Sequence, residues 1–169
     1  YFPGYTTKAV RIRELRVPEI VELKSANNEE NINEDILLDC DFEYEESEAE
    51  QLDIKWYFNK EPTFFYQWLP GQNSKPQLID TERSPIGQLV RKHVDLDHVV
   101  NESDDPFKKH RALLLRKPTV DLSGTYECKV STFGSEDRQR KEMKIYSKFL
   151  FKVDNLCLYK LEVFDILVR

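Results

Sequence analysis

The chain has 169 residues, 40% of them apolar, which is enough for one domain of ordinary size with its own core and excludes disorder throughout. Its 31 acidic residues outnumber 25 basic ones, for a formal charge of -6, which argues against a phosphate-binding surface and sets nucleic acid aside. No run of about 18 apolar residues is present to cross a bilayer, because the nearest stretch, Phe149 to Val168, is interrupted by Lys152, Asp154, Lys160, Glu162 and Asp165.

The chain opens on Tyr1 with no basic segment leading into an apolar one, and reads as the product of processing or truncation. "AVRIRELRVPEIVEL" alternates through Val10 and Ile12, shifts phase at Glu14 and meets Pro18, which predicts an edge strand with a kink. "SANNEENINED" and, further on, "EYEESEAEQ" are acidic and poor in apolar residues, as solvated loops are. Between them "DILLDCDFEY" points Ile36, Leu38, Cys40 and Phe42 one way and Leu37, Asp39 and Asp41 the other. "LDIKWYFN" repeats the pattern, with Leu52, Ile54, Trp56 and Phe58 inward and Asp53, Lys55, Tyr57 and Asn59 outward. "TFFYQWLP" is a further strand, and the segment from Ile79 through Val100 has room for two more. "HRALLLRK" turns Leu113 and Leu115 inward, "TYECKVS" does the same with Tyr126, Cys128 and Val130, and "RQRKEMKIY" ends the series with Met143 and Ile145. Period-2 alternation with turn signals between short strands predicts an all-β, two-layer antiparallel sandwich.

Cys40 on an early strand, Trp56 on the next and Cys128 on a late one share the inward face. This order resembles that of immunoglobulin domains, in which strands B and F are bridged across the core and the strand C indole packs on the sulfurs. The resemblance implies a Cys40–Cys128 disulfide, Trp56 packed against it within a core that includes Leu38 and Leu115, and a tyrosine corner at Tyr126 with Gly124 easing the turn before it. A disulfide of this kind implies an extracellular or secretory location. The long interval between the two cysteines favours the variable-type set, with C′ and C″ strands, over residues 8–146, leaving 147–169 as a tail or the start of a missing segment. Cys157 in that tail is the odd cysteine, free, paired between chains, or awaiting a partner elsewhere.

With those residues fixed, the chain resembles the beaten path family, invertebrate cell-surface and secreted immunoglobulin proteins of the nervous system. The matching pieces are "VRIRELRVP", "IKWYFNKEPTFFYQWLP" and "SGTYECKVS". The resemblance implies roles in cell adhesion and axon guidance, through binding of sidestep-type immunoglobulin receptors, with no cofactor and with homo-oligomers as a further option. The chain departs from the pattern in its long acidic B to C loop, in Leu122 where many variable-type domains carry aspartate, and in its tail. Other readings of the same domain are a secreted immune or ligand-binding module and a structural spacer in a longer ectodomain.

The outward residues of strands C, C′, F and G form the face that variable-type domains use for pairing. Here that face would carry Tyr57, an alternate set from Phe64, Phe65, Tyr66 and Trp68, with Phe65, Tyr66 and Trp68 taken as the contact residues, and then Glu127 and Lys129. "NES" at Asn101 is an N-glycosylation sequon and "NLC" at Asn155 a weaker variant. "HVDLDH" groups His93, Asp95, Asp97 and His98, but strand alternation puts His98 on the opposite side, so the stretch reads as a solvated strand and not as a metal site. No phosphate-cradling glycine loop, nucleophile elbow or HExxH motif marks the chain as an enzyme, and Ser123 beside Gly124 is accounted for by the fold.

Overall fold

The computed structural model describes residues 10–24, 34–79, 85–101, 103–153 and 156–162, with side chains as far as 147. In chain order the elements are β1 (Arg11–Arg16), β2 (Ile20–Leu23), β3 (Ile36–Glu43), β4 (Asp53–Phe58), β5 (Tyr66–Trp68), β6 (Gln77–Leu78), α1 (Pro85–Arg91), β7 (Val94–Asp95), β8 (Leu113–Leu115), β9 (Gly124–Ser131), β10 (Glu136–Val153) and β11 (Leu156–Glu162). They form two sheets, one in the order β1-β3-β8-β7 and one in the order β11-β10-β9-β4-β5-β6 with β2 added beside β10.

The phase shift in the first strand is a β-bulge. Register slips between Ile12 and Glu14 against β3, so that Ile12 and Leu15 both reach the core. Pro18, which has no N–H to donate, lies where the chain leaves the first sheet, and β2 then pairs in parallel with β10 in the second. The kinked edge strand is thus a strand that changes sheets. Where β1 passes β10, side chains replace the backbone ladder. Ile12 N–H donates to Asp137 Oδ2 at 2.8 Å, and Gln139 Nε2 donates to Ile12 O at 3.1 Å.

The predicted inward sets fill the space between the sheets. Ile36, Leu38, Cys40 and Phe42 from β3 and Leu113 and Leu115 from β8 meet Ile54, Trp56 and Phe58 from β4, Tyr126, Cys128 and Val130 from β9, and Met143 and Ile145 from β10, all of them buried. β10 runs on through Val153, past the boundary expected at Tyr146, and β11 pairs back on it from Ser147 onward. The expected start at residue 8, most of "SANNEENINED", Asn155 and the side chain of Cys157 lie outside the described residues.

Two segments differ from expectation. Between Ile79 and Val100 the chain forms a helical turn, α1, and the two-residue β7, where two strands were expected; the C″ position is taken by β6, just before this segment. The reason is readable in "PIGQLVR", where Ile86, Leu89 and Val90 recur at helical spacing and pack on the core, with Val90 fully buried. "EYEESEAEQ" is not a simple loop. It winds into a 3₁₀ turn over Glu46–Gln51 that buries Ala49, and Tyr44 at its base donates to Asp105 Oδ2 at 2.8 Å.

Candidate functional site

Cys40 and Cys128 are joined by a disulfide, with Cα atoms 6.4 Å apart. Trp56 lies on the adjacent strand directly opposite Cys128, fully buried, and its Nε1–H donates to Arg111 O at 3.3 Å. Tyr126 forms the corner, its hydroxyl donating to Leu122 O at 2.8 Å. Gly124 serves a different purpose from the one expected. A Cβ there would collide with the Phe58 ring and the Asn59 side chain, so the glycine permits close approach of β9 to β4. Asn59 and Lys60 take positive φ of 53° and 60° in the turn after β4, closed by Glu61 N–H to Phe58 O at 3.1 Å. Asn59 Oδ1 also accepts from Thr125 N–H at 3.0 Å.

These anchors set the register of the outward face. Reading across the strands, Asp53, Ser131 and Glu136 stand in one row, Gln67, Lys55, Lys129 and Arg138 in the next, and Tyr57, Glu127 and Arg140 in a third. The middle row places three cations side by side, which is unfavourable unless compensated. Carboxylates on both flanks supply the compensation. Lys55 Nζ lies 2.6 Å from Asp53 Oδ2, Lys129 Nζ 2.5 Å from Glu136 Oε2, and Arg138 3.0 Å from Glu136 and 3.6 Å from Glu127. Arg140 closes on Glu127 at 3.0 Å. Hydrogen bonds from Lys129 and then Arg138 hold the Glu136 carboxyl below the usual carboxylate range, and the Glu136 bond in turn raises Arg138. Beside the rows Tyr57 meets Phe64 edge to face at 6.0 Å, and the Lys55 ammonium sits 4.7 Å over the Phe64 ring. The face is most open to water along β10, where the side chains of Arg138 and Arg140 are about half exposed, at 49% and 55%, while those of Lys55 and Lys129 are mostly covered.

The contact set predicted on the C′ strand is corrected. Phe65, Tyr66 and Trp68 are buried, at 3%, 2% and 3% exposure, and belong to the core. Tyr66 and Trp68 pair across to Trp56 and Ile54 and share their inward direction. Their polar ends are satisfied inside, Tyr66 hydroxyl to His110 O at 2.6 Å and Trp68 Nε1–H to Ser74 O at 3.1 Å. Phe65 precedes the ladder, its N–H bonded to Trp56 O at 3.0 Å, so the alternation breaks there and Phe64 becomes the aromatic on the open face. Tyr57, Glu127 and Lys129 are half-buried and do lie on that face; Arg138 and Arg140, which the sequence reading left out, join them through the β9–β10 register.

The other motifs are used within the fold. Asp95 pairs with Arg116 at 2.7 Å, which lowers its carboxyl pKa, and His93 Nδ1 lies 3.0 Å from Arg116 O. Among the described residues no three metal-ligating side chains converge. Ser123 Oγ accepts from Ile145 N–H at 2.8 Å and donates to Ile145 O at 3.1 Å, locking β10 in place. Asn101 is exposed in a turn beside Val100, whose N–H donates to Lys109 O at 2.8 Å. Among the described residues no helix is long and apolar enough to cross a membrane.

Neither a protein-family model nor a curated protein matches the sequence. Among solved structures, the crystal structure of the human B7-H4 IgV-like domain superposes with a TM-score of 0.50 at 17% identity, covering 80% of this chain and 95% of that one. With the buried disulfide, this likeness shows an immunoglobulin V-like sandwich.

Proposed function

We propose that this domain is an extracellular recognition module that binds another protein through the open face of β5, β4, β9 and β10. The carrying observation is the Tyr57–Phe64 pair beside the half-exposed guanidinium groups of Arg138 and Arg140, on the outward side of the sheet. Half-exposed guanidinium groups offer hydrogen bonds to a partner's polar groups, and the aromatic pair beside them supplies the apolar anchor such interfaces use. The disulfide supports action outside the cytosol, at the cell surface or secreted. Asn101, exposed and in an N-x-S sequence, is proposed as a glycan acceptor.

The narrower reading comes from the sequence resemblance to beaten path proteins: adhesion and axon guidance through sidestep-type immunoglobulin receptors, without cofactor or catalysis. The test is a biosensor screen of the glycosylated chain against cell-surface immunoglobulin ectodomains, sidestep-type receptors included. Binding should weaken at least about tenfold in Tyr57→Ala and in Arg140→Ala, the latter a half-exposed side chain whose removal leaves the thermal midpoint nearly unchanged. Binding that both variants retain in full would move the contact off this face, and the absence of any partner would favour a spacer role.

A further inference from the structure

Beyond the sandwich the second sheet narrows to two strands. The β9 ladder on β10 ends at Met143 opposite Gly124, and the β2 ladder ends at Ser147 opposite Leu23. From Lys148 to Val153, among the described residues, β10 is paired by β11 alone, in an unbroken antiparallel register that runs from Lys148 opposite Leu161 to Val153 opposite Leu156. Strand of that length reaches about 20 Å past the other ladders. A two-stranded ribbon is marginally stable in water by itself, and a third strand or a packed face is what makes it persist.

β11 is the outermost strand of its sheet, so along one side its backbone N–H and C=O groups meet no other strand among the described residues. Its sequence does little to blunt that edge. "LCLYKLE" has no proline, its register with β10 has no bulge, and of the 14 residues in 147–153 and Leu156–Glu162 nine are apolar, many for a ribbon with both faces in water. The charges of β11 are Lys160 and Glu162, of opposite sign and two residues apart, hence at positions on one face of the strand. Like charges along an edge repel a second copy of it, whereas this pair is able to match one.

When a strand pairs antiparallel with its own copy, opposite residues share a face, so the two-fold axis passes through a residue and that residue faces itself. With Tyr159 on the axis, Lys160 stands opposite Leu158 and Glu162 opposite Leu156, and neither charge is answered. With Lys160 on the axis, two ammonium groups meet. With Leu161 on the axis, Lys160 of each copy stands opposite Glu162 of the other, two opposite-charge pairs on either side of an apolar one, the favourable cross-strand arrangement. We propose that two copies of this chain associate edge to edge through β11, antiparallel about a two-fold axis at Leu161, which joins their two ribbons in one four-stranded sheet. The contact lies beyond the charged rows of β4, β9 and β10, so it stands or falls separately from binding at the open face.

Sedimentation equilibrium of the full chain from about 1 µM to 500 µM is the test. The expected result is a concentration-dependent dimer that weakens at least about tenfold in Lys160→Glu, which sets carboxylate against carboxylate twice, and that returns when Glu162→Lys is added, because the exchange restores both pairs with their signs reversed. In a Cys157→Ser background, Leu161→Cys should give an interchain disulfide under mild oxidation and Tyr159→Cys should not, since only the residue on the axis lies within bonding reach of its own copy. All of these positions lie outside the sandwich, and the thermal midpoint followed by the buried Trp56 and Trp68 should stay in place. Monomer throughout overturns the proposal, as does a dimer that Lys160→Glu leaves intact or that Glu162→Lys fails to restore. Cross-linking through position 159 in place of 161 overturns the register and the charge matching behind it. A dimer lost instead on Tyr57→Ala overturns the proposal too, and places self-association on the open sheet face.

Discussion

Replacing Arg111 with methionine should destabilise the domain by about 3 kcal/mol, more than any change on its open face. Asp39 is an outward residue of β3, yet it is only 3% exposed because the Arg111 side chain lies over it. The guanidinium donates to both Asp39 oxygens, at 2.8 and 3.0 Å, and to Asp41 Oδ1 at 2.6 Å. Burial alone would lower the Arg111 pKa; the Asp39 hydrogen bonds and the charges of Asp39 and Asp41 outweigh it, and the pKa is raised. Methionine keeps the bulk and strands a buried carboxylate, for which broken buried pairs set a cost of about 3–5 kcal/mol. Arg16, 3.8 Å from Asp39, and Lys108, 3.9 Å from Asp41, offset part of this, hence the lower end. Urea unfolding followed by the fluorescence of Trp56 and Trp68, both buried, measures the change, and the thermal midpoint should fall by about 6–12 °C. Adding Asp39→Asn to the variant should recover more than half of the loss, since the residual cost is then that of a neutral amide. A loss below about 1 kcal/mol, the size of a surface pair, or no recovery with Asp39→Asn, would refute a buried-charge origin.

Cys40→Ala with Cys128→Ala opens a loop of 88 residues, for which chain entropy gives about 4.6 kcal/mol, so denaturation should show the variant largely unfolded at 37 °C or close to it. Tyr126→Phe keeps the ring against Phe58 but leaves Leu122 O without its donor, and should cost roughly 1–3 kcal/mol in the same assay. Burial lowers the His98 pKa from 6.5, so in the window below 6.5 the unfolded chain binds more protons than the folded one; stability should fall as pH drops from 7.5 through 6.5 toward the lower folded value, and His98→Gln should flatten that limb.

The inward half of the domain was legible because alternation is a backbone property. Side chains on a strand point to opposite faces whatever their chemistry, so Leu38, Trp56, Leu115 and Tyr126 could be placed from spacing alone. Alternation fails where a strand has not yet begun. Four aromatics in five positions, 64 to 68, fit either phase, and only the Phe65 N–H bond to Trp56 O decides that the ladder starts at Tyr66. The cationic row was out of reach for a different reason: Lys55, Lys129 and Arg138 lie on three strands and meet only once register is known. Arg111 is similar. In sequence it is a charge ahead of three leucines, and its pairing with Asp39 spans 72 residues.

Leu122 bears on where the buried ion pair of the domain is made. At the position where variable-type domains carry aspartate it is fully buried, and the buried arginine of this domain pairs instead with β3 through Asp39 and Asp41. The ion pair therefore fastens the outer side of the sheet opposite the open face, while the Arg111 carbonyl takes the Trp56 indole proton from the other sheet. One residue ties both layers together next to the disulfide. The charged side chains of β4, β9 and β10 lie outside the core, and the pairs whose guanidinium groups are half in water, Arg138 and Arg140 with Glu127, are weak. Substitution of such half-exposed side chains can change binding without unfolding the domain, which is the property that makes Arg140→Ala informative beside Tyr57→Ala.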